Sequence, residues 1–261
     1  LERFHVLHGY TAEDVRLILE PMAKEGKNAV GSMGDDTPLT ALNKCARPLY
    51  SYFRHRFAQV TNQPMDSIRE RMVMSLHTYL GRRGSLLAPS PEGAGRTHLP
   101  SPIISDARLR MLRDPRSSGL DPVTLTAEYD PSDHATGLEA SLMRLRDQAE
   151  EAVRAGRDLI VLSDRASADA YAPIPMLLAV SAVHHHLIDA GLRTRVSLVA
   201  EAGDARDVQH LAALIGFGAA AVNPWLALAT IRAKAGDDAD TAQDNFLQAC
   251  EAGLLKIMSK M

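Results

Sequence analysis

The second half of the chain alternates short, wholly apolar runs with longer segments whose apolar residues recur every three or four positions. From Gly137 the pattern predicts a helix over Leu138 to Ala155, closed by Gly156, then a buried strand in Asp158-Leu-Ile-Val-Leu-Ser-Asp164. A helix follows from about Ile174 to Ala190, then a strand in Arg195-Val-Ser-Leu-Val-Ala-Glu201. Next come a helix from Asp204 to Ile215, a strand in Ala219-Ala-Ala-Val-Asn223, and a helix from Pro224. One more helix, Thr241 to Ala252, precedes an apolar, strand-like end, LLKIMSKM (Leu254 to Met261). Continuous apolar strands alternating with helices predict a parallel sheet with right-handed crossovers.

The first half is less regular. Thr11-Ala-Glu-Asp14 has the form of a capping box; Val15, Ile18, Leu19 and Met22 then recur at helical spacing up to a stop at Gly26. Gly31 to Pro38 (Gly-Ser-Met-Gly-Asp-Asp-Thr-Pro) is a loop by composition. Tyr50, Phe53 and Phe57 step along one helical face, and this aromatic stripe is expected in the core. Asp66 can cap a further helix, with Ile68, Met72, Val73, Leu76 and Leu80 on one side before Gly81. Residues 82–133 hold half of the prolines and predict an irregular segment with edge strands, such as Val123 to Tyr129.

With 261 residues, 46% hydrophobic and 23% charged, the chain can bury a substantial core. The net charge of −3 is near balance, and no basic patch argues for nucleic acid. Apolar runs break within about 10 residues, short of the ~20 a membrane helix needs. No secretory leader is evident. Cys45 and Cys250 are isolated from each other, which suits free thiols in a reducing compartment and leaves no tetrahedral zinc set. The start at Leu1 without a Met, and the apolar end, both read as cuts in a longer chain.

Function in parallel α/β folds gathers where strands end. The strand ends here carry Ser163-Asp164-Arg165, Glu201 and Asn223-Pro224. Asp164 and Glu201 could form an acid–base pair if burial separated their proton affinities. Alternatively, Asp164 and Asn223 cap the helices that follow, and Glu201 pairs with an arginine. His184-His185-His186 lie within a helix, about 100° apart, and cannot converge on one ion. Gly216-Phe-Gly218 precedes a strand instead of opening a helix, so it is a turn and not a dinucleotide fingerprint.

Several long segments, in order, resemble the glutamate synthase central domain. They are GSMGDDTP (Gly31 to Pro38), FAQVTNQPMDSIRERMVMSLHTYLG (Phe57 to Gly81), LIVLSDR (Leu159 to Arg165) and IPMLLAVSAVHHHLI (Ile174 to Ile188). GLRTRVSLVAEAG (Gly191 to Gly203), LIGFGAAAVNPWLA (Leu214 to Ala227) and GLLKIMSKM (Gly253 to Met261) complete the set. The resemblance is best over 9–81 and 137–261. Gln63, Trp225 and Gln209 stand where the family pattern has Pro, Tyr and His; none falls on an expected catalytic group.

The resemblance implies a degenerate (β/α) barrel of parallel β/α units that links a glutaminase domain, before Leu1, to a domain carrying FMN and a 3Fe-4S iron–sulfur cluster, after Met261. Residues 254–261 then begin the junction to the FMN domain. It implies no catalytic, cofactor or metal residue within this chain. The whole enzyme, in the cytoplasm, makes L-glutamate from L-glutamine and 2-oxoglutarate, with electrons from a small FAD-containing, NADPH-oxidising subunit or from ferredoxin. Met33 and Thr61 match family positions that constrict the tunnel carrying ammonia between the two sites. On the residues alone, Met33 is a packing residue of a tight loop and Thr61 a helix-end cap. Two other functions stand beside this one: an independent barrel enzyme using Asp164 and Glu201, and an interaction scaffold with no part in channelling.

Overall fold

The computed structural model describes residues 1–29, 40–44, 47–53, 74–84, 87, 91–165 and 171–260. Met33, Thr61, Phe57 and Asp66 lie outside the described residues. The described strands are β1 (Thr78–Leu80), β2 (Thr97–Leu99), β3 (Pro122–Thr126), β4 (Glu128–Tyr129), β5 (Leu159–Ser163), β6 (Ala172–Pro173), β7 (Ser197–Glu201) and β8 (Ala221–Asn223). The helices are α1 (Glu2–Leu7), α2 (Glu20–Glu25), α3 (Asp106–Arg113), α4 (Pro115–Ser118), α5 (His134–Arg154), α6 (Met176–Asp189), α7 (Val208–Gly216), α8 (Trp225–Ala235) and α9 (Ala239–Lys260).

Strands β3, β5, β7 and β8 form one parallel sheet in that order, each beside its predecessor. The connections carry α5, α6 and α7 in turn. Nearest-neighbour parallel β/α units are the wall of a (β/α) barrel, here an open arc, as expected of a degenerate one. The outer edge of β8 is met by the Pro102–Ile104 backbone: Val222 N–H donates to the Pro102 carbonyl at 2.7 Å, and Ile104 N–H to the Val222 carbonyl at 2.9 Å.

Both faces are dry along β5, β7 and β8, which is why these strands read as unbroken apolar runs. Ile160, Leu162, Leu198, Ala200 and Val222 pack under the helices of the β/α units. Leu159, Val161, Val199 and Ala221 pack against Leu80, Leu99, Ile104, Leu109, Leu112 and Leu120. The second face, which a closed barrel would turn inward, is therefore filled by α3 and by the antiparallel β1–β2 pair. Each fully buried Leu in such a layer contributes about 1.5–3 kcal/mol.

Four expectations are corrected. The segment 82–133 does supply an edge strand, β3, but it also contains α3 and α4. Helix α3 is eight residues long and shows only Leu109 and Leu112 as a buried repeat, too little for periodicity to reveal. The end of the chain is helical: α9 runs through Gly253 to Lys260. Gly253 does not stop it, because the glycine is there for close packing; a Cβ would lie 2.5 Å from Val208 Cγ2 of α7. Leu80 is on a strand, since pairing with Thr97 lets it reach the inward face. Tyr50 lies on a single 3₁₀ turn, Leu49–Tyr52, and Phe53 is extended and 41% exposed, so of these two aromatics only Tyr50 belongs to the core.

The start of the first long helical segment matches its pattern. Thr11 N–H donates to Asp14 Oδ2 at 2.9 Å, and Asp14 N–H to Thr11 Oγ1 at 3.0 Å. The segment is wound as a π-helix over Asp14–Leu19, continues as α2, and ends on Gly26 in the left-handed conformation. The turn at Gly216-Phe-Gly218 leads from α7 into β8. Gly218 has φ +118°, and a Cβ there would sit 2.1 Å from His184 Nδ1. The Arg193 guanidinium holds that corner by donating to His184 Nδ1, the Val196 carbonyl and the Gly218 carbonyl.

Gly218→Ala is expected to destabilise the fold by about 2 kcal/mol or more, through strain and displacement of His184. Gly216→Ala, with open space around it, should be neutral or stabilising by up to ~1 kcal/mol. Urea unfolding of the two variants checks the contrast.

Candidate functional site

The parallel register sets Ser163, Glu201 and Asn223 side by side at the carboxyl ends of β5, β7 and β8. The loops that follow bring Asp164, Arg165, Asp204, Arg206 and Trp225 to the same end of the sheet. Two polar networks result, one around Glu201 and one around Asp164 and Asp204.

Glu201 is buried, with its carboxylate fully engaged. Arg113 of α3 donates through Nη2 to Oε2 at 2.6 Å and through Nη1 to Oε1 at 3.4 Å. Arg165 Nη1 donates to Oε1 at 3.0 Å, and Ser163 Oγ–H to Oε2 at 2.5 Å. Arg165 also reaches Asp106 Oδ2 at 3.2 Å and lies over the Trp225 ring at 5.2 Å. Asn223 Nδ2 donates to Asp106 Oδ1 and to the Ile104 carbonyl. Burial alone would raise the Glu201 carboxyl. The hydrogen bonds from Arg113 and Ser163 and the guanidinium charges outweigh it and hold the group below the usual carboxylate range.

Asp164 is inaccessible to solvent. It accepts the Gly203 N–H at 2.9 Å and the Trp225 indole N–H at 2.7 Å. His8 Nδ1, from the end of α1, stands 3.8 Å from it. Gly203 is required for this approach, because a Cβ would fall 2.5 Å from the His8 ring. Burial, and then the charge of Asp204, push the Asp164 carboxyl well above its ordinary range. Asp204 is raised too, mainly by burial. It accepts the Tyr50 hydroxyl at 3.0 Å and the Met176 N–H at 3.1 Å.

The N-terminal segment closes over this end. Arg206 donates to the carbonyls of His8 and Gly9, pairs with Asp14 at 3.3 Å, and lies over the Tyr10 ring at 4.7 Å. Tyr50 stacks on His210 with centroids 4.1 Å apart. His210 Nδ1 accepts the Arg206 N–H, so the neutral ring carries its proton on Nε2, facing Asp207. Burial lowers His210, and burial with the Arg206 charge lowers His8 to about 4. His8 Nε2 and Asn223 Oδ1 are buried with no hydrogen-bond partner among the described residues.

Glu201 pairs with arginines, as one of the two sequence readings has it. The capping expected of Asp164 and Asn223 is not what these residues do. The N–H at the start of α6 is taken by Asp204, not Asp164, and α8 starts at Pro224 with no side-chain cap. Asp164 instead faces Gly203 and Trp225, and Asn223 faces Asp106. The three consecutive histidines diverge: His184 toward Arg193, His185 back to the Ser181 carbonyl, and His186 to Glu150 of α5 at 2.7 Å. Sequence reasoning missed Asp204, Arg206, His8, Tyr50, Asp106 and Arg113. Asp204 and Arg206 had a usable signal, since both follow directly on the apolar run of β7.

The described residues do not fit an iron–sulfur cluster. Their one cysteine, Cys250, is buried in α9, where burial drives its thiol far up and away from the thiolate a cluster needs. No three His, Cys, Asp or Glu side chains among the described residues are arranged to hold a metal ion. No described helix is long and apolar enough to cross a membrane.

Fold and site together define a parallel β/α domain of barrel type whose strand-end carboxylates are held by its own arginines, backbone and aromatic donors. The family model for the glutamate synthase central domain matches residues 3–261, and the chain belongs to that family. It is 43% identical over 263 residues to the large chain of a glutamate synthase [NADPH] from Bacillus subtilis. It is likewise 43% identical over 272 residues to ferredoxin-dependent glutamate synthase 2 of Synechocystis. These alignments cover 97% of this chain and 17% of each relative. The large chain of glutamate synthase [NADPH] from Azospirillum brasilense is 40% identical over the whole chain, which spans 18% of it.

Two measurements probe the networks. Glu201→Gln removes the charge that holds Arg113 and Arg165, and should cost about 3 kcal/mol in urea unfolding. His8 is neutral in the fold until about pH 4, whereas an unfolded histidine takes its proton near 6.5. Its contribution is therefore complete above pH 6.5 and is lost as pH falls toward 4, by about 3 kcal/mol at ~1.4 kcal/mol per pH unit. The raised Asp164 and Asp204 act with the opposite sign. The test is thus the difference between wild type and His8→Asn, whose stability should fall less steeply on acidification.

Proposed function

We propose that this domain works inside a glutamate synthase large chain, where it joins the glutaminase and FMN domains of the same polypeptide and walls part of the ammonia tunnel. The match to the family model from residue 3 to residue 261 carries this reading. That the chain spans 17–18% of these relatives' length is in keeping with a role shared with other domains. The parent reaction is reductive synthesis of L-glutamate from L-glutamine and 2-oxoglutarate in the cytoplasm. FMN and the 3Fe-4S cluster belong to the neighbouring domain, and electrons come from a small NADPH-oxidising subunit with FAD, or from ferredoxin.

The domain has no catalytic role of its own. Asp164, Glu201 and Asn223 serve to hold the loops at the strand ends, and the donors around both carboxylates support this over an acid–base pair. Glu201, held below the usual range by two arginines and a serine, is a poor proton acceptor near neutrality.

Met33 and Thr61 line the tunnel entrance. Ammonia must cross in its neutral form, away from bulk water that would protonate it. A flexible thioether beside a hydroxyl makes a narrow passage with only transient hydrogen-bond partners. In the full-length enzyme, Thr61→Trp should lower glutamine-dependent glutamate formation at least about tenfold, ~1.4 kcal/mol. Synthesis from added ammonia and glutamine hydrolysis should persist. Unchanged stoichiometry between glutamine hydrolysed and glutamate formed would rule out the tunnel role of Thr61.

A further inference from the structure

Strands β1 and β2 carry a pair of histidines away from the strand-end networks. The strands run antiparallel, with Tyr79 opposite His98 and Leu80 opposite Thr97. Alternation along each strand then decides the faces. Leu80 and Leu99 point into the dry layer against the parallel sheet and are fully buried. His77, Tyr79 and His98 fall on the other face and are exposed. His77 precedes Tyr79 by two residues, so it is the diagonal neighbour of His98, a separation that aromatic side chains can span.

The two imidazoles meet there. His98 Nε2 and His77 Nδ1 are 3.2 Å apart, and the ring centroids 4.8 Å apart. As a hydrogen bond, one of these nitrogens carries the shared proton. A neutral imidazole can hold its proton on either nitrogen, so a change of tautomer frees both facing nitrogens as ligands with no net proton release. Two nitrogens 3.2 Å apart, each about 2.0–2.1 Å from one Zn²⁺, subtend an angle of about 100–106° at the ion. That is close to tetrahedral. The rings need only turn about their soft outer torsions to aim both lone pairs at one point.

The backbone beneath the pair is fixed. Leu80 and Leu99 anchor both strands in the core, Gly81 N–H donates to Ser197 Oγ at 3.0 Å, and His77 N–H donates to Ser75 Oγ at 3.1 Å. Tyr79 stands beside His98 with centroids 5.1 Å apart, and Arg96 lies over the Tyr79 ring at 5.3 Å. Ligands already held together lose little freedom on binding an ion, which is the advantage of a chelate over two separate histidines. His184, His185 and His186 lack this property, because they turn to separate partners.

We propose that His77 and His98 chelate a divalent transition ion of the Zn²⁺, Ni²⁺ or Cu²⁺ class, with water filling its other positions. Imidazole nitrogens suit these ions, whereas Mg²⁺ and Ca²⁺ require oxygen ligands that the pair does not offer. Two protein ligands make a site that fills and empties with the free ion, not a closed structural centre of four. The bound ion bridges β1 to β2 and clasps the antiparallel pair that fills the inward face of the sheet. The inference does not depend on the tunnel reading.

The test uses the full-length enzyme, as wild type, His77→Gln, His98→Gln and, for control, His185→Gln, an exposed histidine of α6. All three positions are exposed, so the substitutions leave the core intact. Zn²⁺ binding is measured by calorimetric titration, and the melting midpoint with and without micromolar Zn²⁺. Either His77→Gln or His98→Gln alone should weaken one Zn²⁺ site at least about tenfold. Each should also abolish a Zn²⁺-dependent rise in melting midpoint that wild type and His185→Gln show. Mg²⁺ should give neither effect. If both variants bind Zn²⁺ as wild type does, or if only one of the two histidines matters, no chelate forms and the inference is overturned. If the site fills only at millimolar Zn²⁺, the pair is a surface hydrogen bond and the inference is likewise overturned.

Discussion

A carboxylate buried at the end of a parallel strand must be neutralised, and the way Glu201 is neutralised organises much of this domain. β7 lies inside the sheet, flanked by β5 and β8, so the side chain at its carboxyl end has no route to water. Its partners come from two directions: Arg165 from the adjacent strand end, and Arg113 from the helix that fills the inward face. Helix α3 is therefore held by charge at one end and by Leu109 and Leu112 along its length. Truncating the pair on one side would strand a charge in a dry interior, which is far costlier than the pair itself is worth. The same helix places Asp106 where it orients Asn223 and Arg165, so one element serves three strand ends.

The second network has a different character. Asp164 and Asp204 are two carboxylates with few cations, and they are satisfied by N–H and O–H donors: Gly203, Trp225, Met176 and Tyr50. The cation nearby, Arg206, is turned outward to grip the N-terminal segment through two carbonyls and Asp14. Positive charge thus fastens the N-terminal segment over the strand ends, while neutral donors keep the acids in place. Trp225 donates to Asp164, and Gln209 donates to the Phe53 carbonyl.

Much of the second half was legible before any coordinates. Continuous apolar runs at Leu159 to Ser163 and Ser197 to Glu201 announced strands buried on both faces, and the helices between them followed the expected spacing. The reciprocal Thr11–Asp14 cap and the Gly26 stop were equally readable, because caps and glycine stops are local chemistry. Three of the misreadings share one cause. Leu80 on a strand, Gly253 inside a helix and Tyr50 on a short turn are all set by what lies across the molecule: Leu99, Val208 and His210. Local patterns carry no information about such partners.

The sequence by itself determined the β/α grammar, the parallel sheet and the family, since these depend on periodicity and on long ordered segments. It also placed Asp164, Glu201 and Asn223 at strand ends. Tertiary structure alone decided what those groups do. Whether a buried carboxylate is a catalyst, a helix cap or a structural anchor depends on which donors converge on it. Those donors, Arg113 and Trp225 among them, lie tens of residues away in the chain. Proximity of that kind is created by folding, because the free energy of a buried charge is fixed by its surroundings in space and not by its neighbours in sequence.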